Sequence, residues 1–510
     1  RQTLLLPPWE CYALIVHRLQ TQMQDRRRLG MEKRKESRRD FLKTMGWGAT
    51  AWAFGPFAAA RSSSGPTTNV LFMAVDDLND WTGCLGGHPN ARTPHLDRLA
   101  EKGVLFTNAY CAAPACNPSR AALMTGIRPA TSGVYHNNQP WRKSPVLQDA
   151  VTLPQHFMKH GYRAMGSGKI YHGSFPDPDS WHEYWPSQLM NKPPDPMPKT
   201  RPLNGIPKTA HFDWGAVDAK QEEMGDWQVA DWVIDQLNRE HEDPFFLACG
   251  FFRPHLPWYV PERYFDAFPL DSIELPNVKD DDLDDVPEMG KRMARPEGDH
   301  ARVTAHDQWK RAVQGYLASI LFVDECIGRV VDALEKSAYR DNTILVLWSD
   351  HGWHLGEKLH WRKFALWEEA THNVLLFWAP GVTQPGGRCP SPVSLLDIYP
   401  TLLDLCGLPP REELEGLSLL QLLKDPTSQR ERPALTTHGR LNHSIRSLRW
   451  RYTRYADGTE ELYDHQQDPM EWNNLASDPA HSEVKEELSK WLPKKDAPDS
   501  ESRKKKKKKT

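Results

Sequence analysis

A chain of 510 residues exceeds what one compact core usually holds, which predicts a large domain with a smaller companion. With 39% apolar residues, 26% charged residues and a formal net charge of -3, no overall field marks nucleic acid or an acidic polymer as a generic partner, so any anion binding falls to local basic residues. The eight cysteines show no C-x-x-C pair and no regular spacing, which excludes a zinc module or a small disulfide scaffold; away from Cys116 they read as buried small hydrophobes.

Residues 1–30 mix apolar and basic residues without periodicity and read as an upstream extension outside the mature protein. Met31 reads as a start. It opens a basic segment with the pair Arg38-Arg39, a weakly apolar stretch from Met45 to Ala60 and the small-residue site Ala58-Ala59-Ala60. Residues 31–62 are therefore expected to be a twin-arginine signal peptide, too short and polar for a stable membrane span. Asn69 to Val75 is a continuous apolar run, the pattern of a strand buried on both faces of a parallel sheet, and it ends in Asp76-Asp77, where open α/β sheets place ligands. By itself this pair reads equally well as a solvent-facing loop. A helix is expected from Thr93 through Gly103, with Leu96, Leu99 and Ala100 on one face. Then comes Cys116-Asn117-Pro118-Ser119-Arg120, ending at Thr125-Gly126. Asn117 or Ser119 could cap a helix whose first turn holds Pro118, leaving a thiol ahead of the N-terminus and an arginine one turn on.

An amphipathic segment from Leu153 to Gly161 leads to a short strand that delivers Lys169 and His172, a pair that alone reads as solvated. Residues 176–209 look like a long loop, Asp226 to Glu240 like a helix, and Pro244 to Phe252 like a buried strand ending in Arg253-Pro254-His255-Leu256-Pro257, which alone reads as a surface turn. The acidic run Asp280 to Asp285 lacks EF-hand spacing and reads as a solvated loop. Ala312 to Leu334 is the clearest helix. Thr343 to Trp348 repeats the first strand and ends in Ser349-Asp350-His351-Gly352. Two such strand ends could gather three carboxylates and an imidazole, whose repulsion a divalent cation would relieve; mostly oxygen donors favour calcium or magnesium over zinc. Trp361-Arg362-Lys363, a strand from Asn373 to Trp378 and a helical Ser394 to Cys406 follow, and the lysine run Lys504 to Lys509 closes a tail, residues 496–510, expected to be disordered.

Cys-x-Pro-Ser-Arg-x-x-x-x-Thr-Gly from Cys116, Gly168-Lys169-x-x-His172, Pro254-His255, Asp350-His351 and Trp361-x-Lys363 come in an order that resembles the type I sulfatases from Asn69 to Leu475. Asp350-His351, where many sulfatases have Asp-Asn, is similar to the iduronate-2-sulfatase-like subgroup. The resemblance implies an α/β fold like that of alkaline phosphatase: a large mixed, mostly parallel central sheet flanked by helices over residues 66–408, and a smaller C-terminal α+β subdomain over residues 409–495. It also implies hydrolysis of sulfate monoesters on a sulfated carbohydrate. In that family a formylglycine-generating enzyme oxidises the cysteine to formylglycine, whose hydrate is the nucleophile, so Asp76, Asp77, modified Cys116, Asp350 and His351 would bind one Ca2+. Arg120, Lys169, His172, His255 and Lys363 would line the sulfate, with His255 as general acid and His172 as base. Twin-arginine export carries folded proteins and so suits modification before transport to the periplasm or the exterior. Two other readings stay open: a phosphate or phosphonate ester hydrolase of the same superfamily, and a catalytically silent carbohydrate-binding homologue. Loops 176–215 and 268–305 are expected to choose the sugar, with Arg142 or His438 touching a carboxylate or second sulfate.

Overall fold

Strand β1 (Asn69–Asp76) is buried along its whole length, as its unbroken apolar run requires. It lies inside an eight-stranded sheet in a computed structural model that describes residues 68–209 and 211–502. The expected upstream extension and export signal over residues 1–62 and the lysine run Lys504–Lys509 fall outside the described residues. The other strands are β2 (Val104–Phe106), β3 (Arg163–Gly168), β4 (Glu183–Trp185), β5 (Phe245–Pro254), β6 (Thr343–Ser349), β7 (Leu375–Trp378) and β8 (Gly387–Cys389), in the spatial order β8-β2-β7-β6-β1-β5-β3-β4. Only β7 runs against its neighbours β6 and β2; the remaining pairs are parallel, so the sheet is mixed and mostly parallel.

Alternation along β1 divides the core. Leu71, Met73 and Val75 face helices α1 (Pro94–Ala100), α4 (Gly225–Leu237) and α5 (Trp309–Lys336), whereas Val70, Phe72 and Ala74 face α2 (Cys116–Thr125), α3 (Leu153–Lys159) and α6 (Ile398–Leu405). Helices thus cover both faces of the sheet. Farther on, β9 (Ala434–Thr437), β10 (His443–Arg446), β11 (Trp450–Arg454) and β12 (Glu460–Asp464) form an antiparallel meander with its own small core around Ile445, Tyr452 and Leu462.

The register of the parallel strands builds the site. Val75 pairs with Ser349 and Asp76 with Pro254, while Gly168 pairs with Gly250, so the carboxyl ends of β6, β1, β5 and β3 open at one edge. Gly168 sits at φ 80°, where a Cβ would lie 1.8 Å from the Gly250 carbonyl oxygen, so only glycine lets β3 end this close to β5.

Several expectations need correction. Cys116 is the first residue of α2 rather than a thiol ahead of it, with Ala115 as N-cap and Pro118 in the first turn. Neither Asn117 nor Ser119 caps: the Asn117 amide donates to the His136 and Gln139 carbonyls, and Ser119 Oγ to the Asp350 carbonyl. The proline-rich loop contributes β4, the edge of the main sheet. In the acidic run Asp282 is buried and pairs with Lys358 Nζ at 2.7 Å. Residues 496–502 do not behave as a loose tail, because Ala497 and Ser500 hydrogen-bond the Ala130 and Gly133 carbonyls and Gln139 holds the Ser500 carbonyl. Among the described residues every cysteine is free, Cys84 and Cys406 half-buried and the others buried.

Candidate active site

Asp76 at the end of β1 is buried, and Asp77 follows it at φ 62°, a left-handed turn that swings its carboxylate across the strand end. The turn is pinned on both sides: Asp77 N–H donates to Asp350 Oδ1 at 3.1 Å, and Tyr316 of α5 donates its hydroxyl to the Asp77 carbonyl at 2.7 Å. Helix α2 points its first residue at these acids. Cys116 Sγ lies 3.9 Å from Asp77 Oδ1, 3.4 Å from His351 Nε2, 3.0 Å from Lys363 Nζ and 3.8 Å from Lys169 Nζ. Donor atoms of Asp76, Asp77, Cys116 and His351 all fall within 4.8 Å of one another.

Each group has a distinct electrostatic setting. Asp77 is raised to about 7 by burial, against the pull of Lys363 and with the push of Asp76 and Asp350. Burial works the same way on Asp76, but Lys169, His255 and Arg120 outweigh it and hold that carboxyl well below the usual range. Burial and the Asp76 charge push the Cys116 thiol up to about 12, only partly offset by Lys169 and Lys363, so the thiol itself is a poor nucleophile. His351 is lowered to about 4 by burial; its Nδ1 donates to the Gly352 carbonyl at 3.0 Å, which leaves Nε2 with a free lone pair toward the acids.

Lys169 Nζ pairs with Asp76 Oδ2, and Lys363 Nζ with Asp77 Oδ1 at 2.7 Å. Both ammonium groups also face the Cys116 sulfur. Arg120 turns away from it. Its guanidinium spans Asp350 (2.9 Å), Asp76 (3.1 Å) and the Lys169 and Ile170 carbonyls (2.5 and 3.0 Å), so it braces two carboxylates. His255 Nε2 stands 3.9 Å from Asp77 Oδ2 while its Nδ1 donates to the Leu256 carbonyl at 2.7 Å. Burial and Lys169 hold its imidazole well below the ordinary range. His172, half-buried, is lowered to about 3 by burial and by Lys169. Asp350 adjoins the donor ring, with Oδ2 3.5 Å from His351 Nε2, but both of its oxygens already accept bonds from Asp77 N–H and Arg120.

Sequence reasoning missed the groups that aim His255. Asp226 of α4 accepts from the Phe252 and Arg253 N–H groups at 2.9 and 2.8 Å, and Asp195 pairs with Arg253 at 2.8 Å and Lys192 at 2.7 Å. His211 packs its ring 5.5 Å from that of His255. Nothing local signals these roles, since Asp195 lies in a proline-rich loop and Asp226 looks like an ordinary first-turn acid. Arg142 is forked onto Asp177 and stacked on Trp141. His438 lines a cavity with Phe364 and Arg362, next to Lys363.

The family model for sulfatases matches residues 68–408, and one described as N-sulphoglucosamine sulphohydrolase, C-terminal, matches residues 356–497. A protein named sulfatase from Formosa agariphila is 41% identical over 445 residues, covering 84% of this chain and 87% of that one. Iduronate 2-sulfatase of Homo sapiens is 31% identical over 411 residues, covering 70% of this chain and 72% of its own. A phosphonate monoester hydrolase structure from Silicibacter pomeroyi superimposes with TM-score 0.69 at 24% identity, over 83% of this chain and 94% of that one, a likeness of fold alone.

Proposed function

The chain belongs to the sulfatase family and is a sulfuric ester hydrolase, and from that premise we propose that it removes sulfate from a carbohydrate with a formylglycine made from Cys116 and one calcium ion. The observation that carries this reading is Asp77 Oδ2, a buried carboxylate oxygen with no hydrogen-bond partner beside Cys116, Asp76 and His351. Asp76, Asp77, Asp350 and His351 offer mostly oxygen donors, and an oxygen in place of the Cys116 sulfur makes the set harder still, which suits calcium or magnesium better than zinc. The aldehyde hydrate would supply an oxygen nucleophile at position 116, and a cation held by these residues would supply a Lewis acid beside it.

The remaining work falls to side chains of the chain itself. Lys169 and Lys363 flank position 116 and place positive charge where the sulfuryl oxygens collect it as the ester bond breaks. An alkoxide leaving group needs a proton. With Nδ1–H committed to the Leu256 carbonyl, His255 has a proton to give from Nε2 only as the imidazolium, a form that burial and Lys169 oppose and that the negative charge of a bound sulfate ester would favour; in that form it faces the acids as general acid. His172 takes up the proton from residue 116 that allows sulfate to leave. Arg120 keeps Asp76 and Asp350 in register.

The carbohydrate preference is supported by the name of the human relative, which acts on an iduronate sulfate. Modification requires a formylglycine-generating enzyme, and the pair Arg38-Arg39 supports delivery by the twin-arginine machinery to the periplasm or exterior. No helix among the described residues is long and apolar enough to cross a membrane. Residues 66–408 then form the catalytic domain and 409–495 its C-terminal companion. Co-expression with a formylglycine-generating enzyme, mass spectrometry of the Cys116 peptide and a desulfation screen across sulfated glycan fragments test the proposal. Formylglycine at 116 with turnover lost in Cys116→Ala is expected; full activity in Cys116→Ala, or an active preparation with only free thiol, overturns it.

A further inference from the structure

We propose that a cavity of about 700 Å³ beside the catalytic lysine binds a second anionic group of the glycan, a carboxylate or a further sulfate, while the first sulfate is removed; this rests on the carbohydrate sulfatase reading above. Arg292, Arg295, Arg302 and Arg362 line the cavity, and Asp299 is the one acid among its lining residues. The acid is already taken: it pairs with Arg362 at 2.6 Å and lies 3.9 Å from Arg302. Arg292 is matched by Glu288 at 3.1 Å, and Arg302 also donates to the Pro207 carbonyl at 2.5 Å. Arg295 is exposed, and its guanidinium has no ion pair or hydrogen bond among the described residues. A concave wall with this surplus of guanidinium groups concentrates anions and offers planar, forked donors that fit a carboxylate or a sulfate.

The cavity adjoins the catalytic centre through Arg362 and Phe364, the two chain neighbours of Lys363. Phe364, 36% exposed, has its ring 5.8 Å from Lys363 Nζ and 6.0 Å from the His438 ring, so it borders both spaces. His438 Nδ1 is buried without a partner, a further polar atom left for a ligand. His360 links the two sites through the backbone, with one ring nitrogen 2.7 Å from the Ala294 carbonyl, next to Arg295, and the other 2.8 Å from the Lys363 carbonyl. A contrast comes from a cavity of about 820 Å³ lined by Arg128, Glu415, Arg432 and Trp491: there both guanidinium groups donate to the Glu415 carbonyl, and no chain neighbour of a catalytic residue lines it.

The test is a binding cycle on calcium-loaded Cys116→Ala protein, which needs no turnover. Three probes are titrated by calorimetry: a disaccharide of 2-O-sulfated hexuronic acid and glucosamine, its carboxyl-reduced form, and the carboxyl-reduced form with a 6-sulfate on the glucosamine. Losing the second anion should weaken binding about tenfold or more in this background, and less than about twofold once Arg295→Gln and Arg302→Gln are added. Recovery with the 6-sulfate probe assigns the site to a sulfate; absence of recovery assigns it to the uronate carboxylate. Arg340→Gln, an exposed arginine paired with Asp341, should leave the cycle unchanged. An equal factor in both proteins, no factor in either, or no binding of any probe overturns the proposal. Failure of the sulfatase reading shows separately, as formylglycine-bearing enzyme that desulfates none of the three.

Discussion

Asp76, Asp77, Cys116 and His351 hold their donor atoms within 4.8 Å of one another, and so do Glu368, His465 and Glu471 at the junction with the C-terminal sheet. In the second cluster every carboxylate oxygen is answered. Glu368 accepts from the Tyr110 hydroxyl at 2.8 Å and from Arg446 and Arg451; Glu471 accepts from Arg451, from His465 at 2.8 Å and from the Glu368 N–H at 3.0 Å. In the first, Asp77 Oδ2 accepts no hydrogen bond, with His255 Nε2 3.9 Å away. Proximity of donors therefore does not define a metal site; what distinguishes the two is whether guanidinium groups already occupy the cation's place. Arg451 fills that place at the junction, whereas Arg120 braces Asp76 and Asp350, Lys363 reaches Asp77 only at Oδ1, and Oδ2 accepts no hydrogen bond.

Substitutions should separate these roles. The largest effect is expected for Asp77→Asn, which should lower kcat/KM by about 10³ or more and abolish any rise in thermal stability with calcium, a rise of about 2.7 kcal/mol in the unsubstituted protein at a hundred times Kd. Calcium still stabilising that variant would place the cation elsewhere. Arg451→Met should do the reverse. It removes the counterion shared by buried Glu471 and half-buried Glu368 and should cost about 3–5 kcal/mol in denaturant unfolding, while kcat of the folded protein stays within about twofold and the calcium response survives. A stable Arg451→Met protein that had lost activity would dissolve the distinction.

The smallest effect is in acid. Burial would raise Glu471, but Arg451 and His465 overcome it and hold the carboxyl at about 2. Its folded pKa is depressed, so its contribution is present above the ordinary value near 4.5 and fades as pH falls toward 2, about 3 kcal/mol in all. Unfolding curves between pH 5 and pH 2.5 should therefore fall more steeply for the native sequence than for Glu471→Gln; parallel curves would remove Glu471 from the acid response.

Much of the first cluster is legible in the chain because its signals are local. An unbroken apolar run followed by acids predicts a buried strand with polar groups at its carboxyl end, and both β1 and β6 have that form. Lys169, His255 and Lys363 carry no such signal of their own; they stand out only through family resemblance, and the fold brings Lys169 and Lys363 to the Cys116 sulfur and His255 to Asp77. The second cluster is silent in sequence. Glu368, Arg451 and Glu471 look like surface charges until the C-terminal sheet is folded against the large domain.

By itself, then, the sequence determined which donors exist and that two strands end in them, because strand burial and strand ends are properties of a few consecutive residues. Only the tertiary structure decided which charges are matched and which remain open. An arginine such as Arg120 or Arg451 can reach several partners from one position, and the register of distant strands chooses among them. That choice spends Arg120 inside the protein, frees Arg295 at the cavity wall and leaves one oxygen of Asp77 for a cation.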